Sequence, residues 1–256
     1  MQSSFIEVCG HKLEYQLIPA HQLNRPTLVF LHEGLGSVSL WRDFPARVAA
    51  ATGCQTLIYS RYGYGLSDVL QAPFTVRYMH DEALVVLPEL LDALEIDNPV
   101  LIGHSDGGSI ALIHAAGAQR DVAGLILMAP HVFVEAISVD SITQAKVAFE
   151  TTDLPQKLAK YHADVTRTFW GWNDIWLHPD FRAWNIEEYL PSITCPILAI
   201  QGVDDEYGTV AQVEAIRDQV PGDVDILELA DCRHSPHRDQ AEATLSAMAA
   251  FVSDLA

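Results

Sequence analysis

Positive charge is scarce in this sequence of 256 residues. Only 15 lysines and arginines stand against 34 aspartates and glutamates, which gives a formal net charge of −19. A surface with this excess of negative charge repels nucleic-acid phosphates and anionic lipid headgroups. We therefore expect neither a nucleic acid nor a membrane among the partners of the protein.

Several other signals are also absent. The four cysteines form no C-x-x-C pair, which argues against a zinc ribbon, a thioredoxin-like redox site or a disulfide framework. The first residues have no signal-peptide pattern, and no apolar run reaches about 18 residues. No phosphate-binding loop motif is present. The sequence thus predicts a cytoplasmic globular protein that needs no metal and no organic cofactor.

Short apolar runs recur along the chain, and most are nearly continuous in valine, isoleucine and leucine. Such strands are buried on both faces, as in a parallel sheet covered by helices, so the pattern predicts an α/β fold. The runs are 12–18, 27–31, 55–59, 100–103, 122–128, 197–201 and 225–229. Helices are predicted between them at 41–52, 79–94, 107–118, 209–219 and 239–255.

No strand-like apolar run occurs between residues 131 and 190. Helix-like stretches at 136–150 and 154–168 and a cluster of aromatic residues occupy this segment. We predict a helical cap at 131–190, inserted into a core formed by residues 1–130 and 191–256.

The motif Gly103-His104-Ser105-Asp106-Gly107 lies between a predicted buried strand and a predicted helix. A serine in such a sharp turn projects its hydroxyl above the sheet, and the flanking glycines allow close packing. The alternative is a glycine-rich turn that only packs a helix against a strand. The pentapeptide alone is weak evidence for a nucleophile. Its position between a strand and a helix favours the interpretation of Ser105 as a nucleophile.

A serine nucleophile needs a base and a group that orients the base, and in this architecture the acid and then the histidine follow later strands. The run 197–201 is followed by Asp204, Asp205 and Glu206. The run 225–229 is followed by His234 and His237.

With these three elements the chain resembles the α/β-hydrolase fold family over nearly its whole length. The resemblance implies a mostly parallel central sheet flanked by helices, with a helical cap inserted after the sixth strand. It implies Ser105 as the nucleophile, Asp205 as the acid and His234 as the base, with Asp204 as the alternative acid. Arg233 stands where the family usually has glycine before the histidine.

The resemblance also implies two backbone amides that bind an oxyanion. One belongs to Asp106, and by position the other belongs to Gly34, with Leu35 as the next choice. The family usually has glycine after His32, where this chain has Glu33. Glu33 either faces the substrate or is a rim residue that is solvated or paired with Arg61.

Further candidate substrate contacts are Leu35, which follows the predicted oxyanion residue, and residues of the aromatic segment. His131 and Phe133 lie where the cap leaves the core, and they contact substrate or pack at the hinge. The tryptophans at 170, 172 and 176 form the core of the cap or line a pocket above Ser105. The proposed substrate contacts are therefore Glu33, Leu35, His131, Phe133, Trp170, Trp172 and Trp176.

We expect a serine hydrolase that cleaves a small, apolar or aromatic carboxylic ester, with this small acyl molecule as its partner. Lactones, thioesters and the carbon–carbon bonds of ring-cleavage products remain alternative substrates. A ligand-binding receptor on the same scaffold is the non-enzymatic alternative. Monomer and homodimer both remain open.

Overall fold

A computed structural model describes residues 3–255 of the chain. It confirms the predicted α/β class, with an eight-stranded sheet in the order β1-β2-β4-β3-β5-β6-β7-β8. The strands are β1 (Ser4–Val8), β2 (His11–Ile18), β3 (Leu28–Leu31), β4 (Thr56–Tyr59), β5 (Val100–His104), β6 (Gly124–Met128), β7 (Ile197–Gly202) and β8 (Val224–Leu229).

Strands β1 and β2 are antiparallel to each other, and β2 is antiparallel to β4. All pairs from β4 to β8 are parallel. Strand β1 was not predicted, because it lies at the edge of the sheet, only Val8 of its five residues is buried, and it forms no continuous apolar run.

Helices cover both faces of the sheet. They are α1 (Phe44–Thr52), α2 (Tyr78–Asp81), α3 (Leu87–Ala93), α4 (Asp106–Gly117), α5 (Ala136–Thr151), α6 (Leu154–Leu158), α7 (Val165–Trp176), α8 (Ala211–Gln219), α9 (Pro236–Asp239) and α10 (Ala241–Asp254). A π-helical turn, Glu82–Val86, joins α2 to α3. Among the described residues, no helix is both long and apolar enough to span a bilayer.

The chain between β6 and β7 consists of α5, α6, α7 and two short 3-10 helices. Where the sequence predicts one helix at 154–168, the structure has two. Helix α6 ends at Leu158, and α7 begins at Val165. Asp164 then starts α7 by accepting a hydrogen bond from the amide of Arg167 at 3.0 Å. The division into a core and a cap at residues 131 and 190 remains a prediction, and residues 1, 2 and 256 of the predicted core lie outside the described residues.

The parallel arrangement determines where polar loops meet. The carboxyl ends of β3, β5, β6, β7 and β8 all lie at one edge of the sheet, where ligands bind in open α/β sheets. The loops that begin at His32, Ser105, Ala129, Val203 and Ala230 leave the sheet at this edge.

Candidate active site

The turn between β5 and α4 has a strained backbone at Ser105. Its φ and ψ angles are 53° and −118°, a combination that residues with a side chain rarely adopt. The flanking glycines are required sterically: a Cβ on Gly107 would lie 2.0 Å from the carbonyl oxygen of Leu31. A Cβ on Gly103 would lie 2.3 Å from the carbonyl oxygen of Gly107. The tight turn that the sequence predicts is therefore present.

Ser105, His234 and Asp205 form one chain of hydrogen bonds. The Oγ of Ser105 lies 2.9 Å from Nε2 of His234. On the other side of the ring, Nδ1 of His234 lies 2.9 and 3.0 Å from the two carboxylate oxygens of Asp205. A carboxylate at Nδ1 places the proton there, so Nε2 is free to accept the serine proton. This geometry can turn the hydroxyl into a nucleophile.

The protonation states of the two partners fit this arrangement. Burial by itself raises the pKa of Asp205, but the charge and hydrogen bond of His234 and the amide of Tyr207 hold that pKa below its usual value. Burial by itself lowers the pKa of His234, but Asp205 and, more weakly, Glu206 and Glu33 raise it above its usual value. Asp205 is therefore ionised at neutral pH and stabilises the imidazolium form of His234.

The alternative acid, Asp204, has an exposed side chain. Asp205 is buried and is fixed by three further donors besides His234. The amides of Tyr207 and Gly208 donate to its Oδ1, and the amide side chain of Gln201 donates to its Oδ2 at 2.8 Å. Of these two aspartates, only Asp205 contacts the imidazole of His234, which favours Asp205 as the acid.

A cavity of ≈ 120 Å³ adjoins Ser105. Both predicted oxyanion residues, Gly34 and Asp106, line it. The predicted substrate contacts that also line it are Glu33, Leu35, His131, Trp172 and Trp176.

Two predicted substrate contacts lie elsewhere. Trp170 lines a separate cavity on the other side of α7 and packs against Phe149 and Phe169. Trp172 and Trp176 are four residues apart on one helical face, and Trp170 faces away from that side. Phe133 pairs with Asn185 through a backbone bridge and does not line the cavity beside Ser105.

The loop after β3 fits around neighbouring side chains at its two glycines. A Cβ on Gly34 would lie 2.1 Å from Nε1 of Trp172, so only glycine allows this indole to lie against the loop. A Cβ on Gly36 would lie 2.4 Å from Oε2 of Glu33. The two glycines therefore make room for a cavity wall and for the Glu33 carboxylate.

Glu33 is not paired with Arg61 through its side chain. Arg61 instead donates to the backbone carbonyl of Glu33 at 2.9 Å. The Glu33 carboxylate lies 3.4 Å from Nδ1 of His104 and 3.8 Å from Nη2 of Arg238. Burial by itself raises the pKa of Glu33, but His104, Arg238 and His237 hold it well below its usual value.

The side chain of Asp106 lies in a buried polar cluster, apart from the proposed oxyanion role of its backbone amide. Its carboxylate accepts hydrogen bonds from the hydroxyl of Tyr78 at 2.7 Å and from the indole of Trp176 at 3.2 Å. The guanidinium of Arg61 lies 3.8 Å from the same carboxylate, and both charged groups are nearly fully buried. This cluster fixes the start of α4 and one wall of the cavity.

Sequence reasoning missed four cavity residues, His104, Ser235, Ile142 and Tyr207. The first two are chain neighbours of Ser105 and His234. The ring of Tyr207 lies 4.7 Å from that of His234. Its position two residues after Asp205 is the sequence signal that places it near the acid. For Ile142 there is no such signal, because it depends on how α5 packs across the loops.

His131 is neutral where it lines the cavity. Burial above all, with the nearby charge of His234, lowers its pKa to about 3. Its ring lies 5.7 Å from that of His234 and 5.1 Å from that of Trp176. Within residues 3–255, no three histidine, cysteine or acidic side chains are grouped so that they could hold a metal ion.

Similar solved structures share this fold over nearly the whole chain. The enol-lactonase from Burkholderia xenovorans LB400 has a TM-score of 0.76 and 21% identity, and the match covers 98% of this chain and 100% of that one. The esterase from Exiguobacterium antarcticum has a TM-score of 0.73 and 18% identity, with 98% and 100% covered. At these identities the likeness shows the fold alone.

Curated relatives match only part of the chain. A proline iminopeptidase of Saccharolobus solfataricus is 32% identical over 130 residues, which are 50% of this chain and 40% of the relative. The sn-1-specific diacylglycerol lipase ABHD11 of Danio rerio is 29% identical over 144 residues, which are 55% of this chain and 40% of the relative. The chain thus spans 40% of the length of these relatives.

The family of the chain is shown by a match that covers most of its length. The sequence profile described as the alpha/beta hydrolase family matches residues 28–247, a region that includes the strained serine turn and both partners of the serine. This chain belongs to the alpha/beta hydrolase family.

Proposed function

We propose that the protein is a serine hydrolase that cleaves a small carboxylic ester through an acyl-enzyme intermediate. The observation that carries the proposal is the continuous chain of hydrogen bonds from Ser105 through His234 to Asp205. A buried carboxylate, an oriented imidazole and a serine on a strained turn together make a nucleophile.

In the first half of the reaction, Nε2 of His234 takes the proton of Ser105 while Oγ attacks the acyl carbon. The amides of Gly34 and Asp106 bind the negative oxygen of the tetrahedral intermediate. His234 then gives its proton to the leaving alcohol, and the bond between the acyl carbon and the alcohol oxygen breaks. The acyl group remains attached to Ser105.

In the second half, a water molecule repeats these steps. His234 takes a proton from the water, and the hydroxide attacks the acyl carbon. The bond to Oγ breaks, the proton returns to Ser105, and the carboxylic acid leaves. Asp205 holds the proton on Nδ1 throughout and stabilises the positive imidazolium.

The size of the cavity supports a small acyl group. A volume of ≈ 120 Å³ is well below the roughly 300 to 1,000 Å³ of pockets for drug-sized ligands. Trp172, Trp176 and Ile142 provide apolar walls, so we expect a short acyl chain with an apolar body.

The names of similar proteins support ester cleavage in general. They include an esterase, an enol-lactonase and a diacylglycerol lipase. A lactone is a cyclic ester, and the same steps open it. The proline iminopeptidase among the relatives makes a small amide a further substrate to test.

A substrate panel with wild type and Ser105→Ala tests the proposal. It contains p-nitrophenyl esters from acetate to octanoate, p-nitrophenyl benzoate, lactones, acyl thioesters, alanine p-nitroanilide and a ring-cleavage dienoate. We expect Ser105-dependent hydrolysis with the highest kcat/KM for acyl chains of about two to four carbons, because the cavity has little room for more. A folded wild type that turns over none of these compounds faster than Ser105→Ala would support a binding protein and overturn the proposal.

A further inference from the structure

Glu33 lines the cavity beside Ser105, and its side chain is 17% exposed. Despite burial, His104, Arg238 and His237 hold the pKa of its carboxyl group well below the usual value, so the group is ionised. The resemblance to the family would place glycine here, so the carboxylate is a feature of this chain that the proposed reaction does not use.

The side chains of His104 and Arg238 lie near the Glu33 carboxylate, but farther from it than in a strong hydrogen bond. Nδ1 of His104 is 3.4 Å away and Nη2 of Arg238 is 3.8 Å away. Charge-assisted hydrogen bonds are usually about 2.7 to 2.9 Å long. Within the described part of the chain, no protein donor lies at that distance from the Glu33 carboxylate, so it retains capacity to accept a hydrogen bond.

The rest of the cavity wall also favours a positive ligand. Trp172, Trp176 and Tyr207 are aromatic residues of the lining, and aromatic rings attract ammonium groups. Among the described residues that line this cavity, none is a lysine or an arginine. A negative substituent there would face Glu33 without a close positive partner.

We propose that Glu33 binds a protonated amine on the acyl part of the substrate, so that the protein prefers small amino-acyl esters over neutral or anionic ones. The inference rests on the proposed function and narrows it. The ammonium group donates a hydrogen bond to the Glu33 carboxylate, and the short alkyl body packs against the aromatic wall. The ester carbonyl then lies at Ser105.

Two substrates of nearly equal shape isolate this contact. L-Alanine p-nitrophenyl ester has an ammonium group where p-nitrophenyl isobutyrate has a methyl group. The measured quantity is the ratio of kcat/KM for the alanyl ester to kcat/KM for the isobutyryl ester, after subtraction of spontaneous hydrolysis. Differences in the chemical reactivity of the two esters cancel when this ratio is compared between variants.

We expect Glu33→Gln to lower the ratio about tenfold or more, the effect of losing one hydrogen bond to a charged group. Glu206→Gln is the matched control, because Glu206 also raises the pKa of His234 but does not line the cavity. That variant should change both substrates by the same factor. An unchanged ratio in Glu33→Gln would overturn the inference.

Two further results separate the inference from the proposed function. Ser105-dependent hydrolysis of the isobutyrate in wild type and Glu33→Gln shows that the site is folded and active. Failure of both esters in the wild type would instead contradict the hydrolase proposal.

A second measurement uses the wild type alone. Isopropylammonium should inhibit isobutyrate hydrolysis competitively at a concentration at least about tenfold lower than isobutyrate anion does. Equal inhibition by the cation and the anion would also overturn the inference.

Discussion

The imidazole of His104 donates a hydrogen bond from Nε2 to the backbone carbonyl oxygen of His234, over 2.7 Å. His104 directly precedes Ser105, so the turn that carries the serine also holds the loop that carries the histidine. The distance between Ser105 and His234 therefore depends on a direct contact between the two loops that present them.

Replacing His104 should impair activity more than an equivalent change elsewhere. His104→Leu leaves a half-buried carbonyl without its donor and loosens the His234 loop, so we expect kcat to fall about tenfold and stability by about 1 to 3 kcal/mol. Steady-state kinetics and thermal unfolding measure the two effects.

His114→Leu is the matched control for this change. His114 also contacts a backbone carbonyl, that of Ala83 at 2.7 Å, but it lies near the C-terminal end of α4, away from the serine turn. The His114→Leu variant should lose about as much stability as His104→Leu but keep the kcat of the wild type. Equal loss of kcat in both variants would show that the contact between His104 and His234 has no special role.

The raised pKa of His234 should appear in the pH dependence of kcat/KM. The reaction needs neutral His234, so activity falls as the pH drops through that pKa, and the acid limb should lie above the ordinary histidine value of about 6.5. Glu206→Gln removes one of the charges that raise this pKa and should move the acid limb to lower pH. Glu214→Gln, an exposed carboxylate on α8, should leave it in place. An acid limb that does not move in Glu206→Gln would contradict this assignment.

The choice between the two neighbouring aspartates is directly testable. Asp205→Asn should lower kcat by a factor on the order of 10³ to 10⁴, because the amide no longer fixes the proton on Nδ1 of His234. Asp204→Asn should stay near the wild-type value, since its side chain is exposed. A large loss in Asp204→Asn alone would make Asp204 the acid.

The buried pair of Asp106 and Arg61 should matter for stability. Asp106→Ala keeps the backbone amide but leaves the buried guanidinium without its carboxylate, so we expect a loss of about 3 to 5 kcal/mol in the free energy of unfolding. Tyr78→Phe removes only one hydrogen bond to Asp106 and should cost about 1 to 3 kcal/mol. Urea unfolding compares the two, and an equal cost would contradict the importance of the charge pair.

The positions of most strands along the chain and the position of Ser105 were predictable, because both depend on local patterns. Continuous apolar runs mark buried strands, and glycine on both sides of a serine marks a turn that only small residues allow. The edge strand β1 lacked this signal, because four of its five residues are exposed or half-buried and polar residues interrupt its apolar ones.

The walls of the cavity were harder to predict, because they depend on how α5 and α7 pack. Helical spacing relates Trp172 to Trp176, but it does not say which face of α7 lies above Ser105. The contact of Glu33 with His104 joins residues far apart in the chain, and no local pattern reports it.

The proposed function requires Ser105 to be a nucleophile that His234 activates. Treatment of the folded protein with a fluorophosphonate, followed by peptide mass spectrometry, measures this directly. We expect one phosphonyl group on Oγ of Ser105 in the wild type, none in Ser105→Ala and much slower labelling in His234→Ala. An unlabelled wild type, under conditions that label a control esterase, would contradict it.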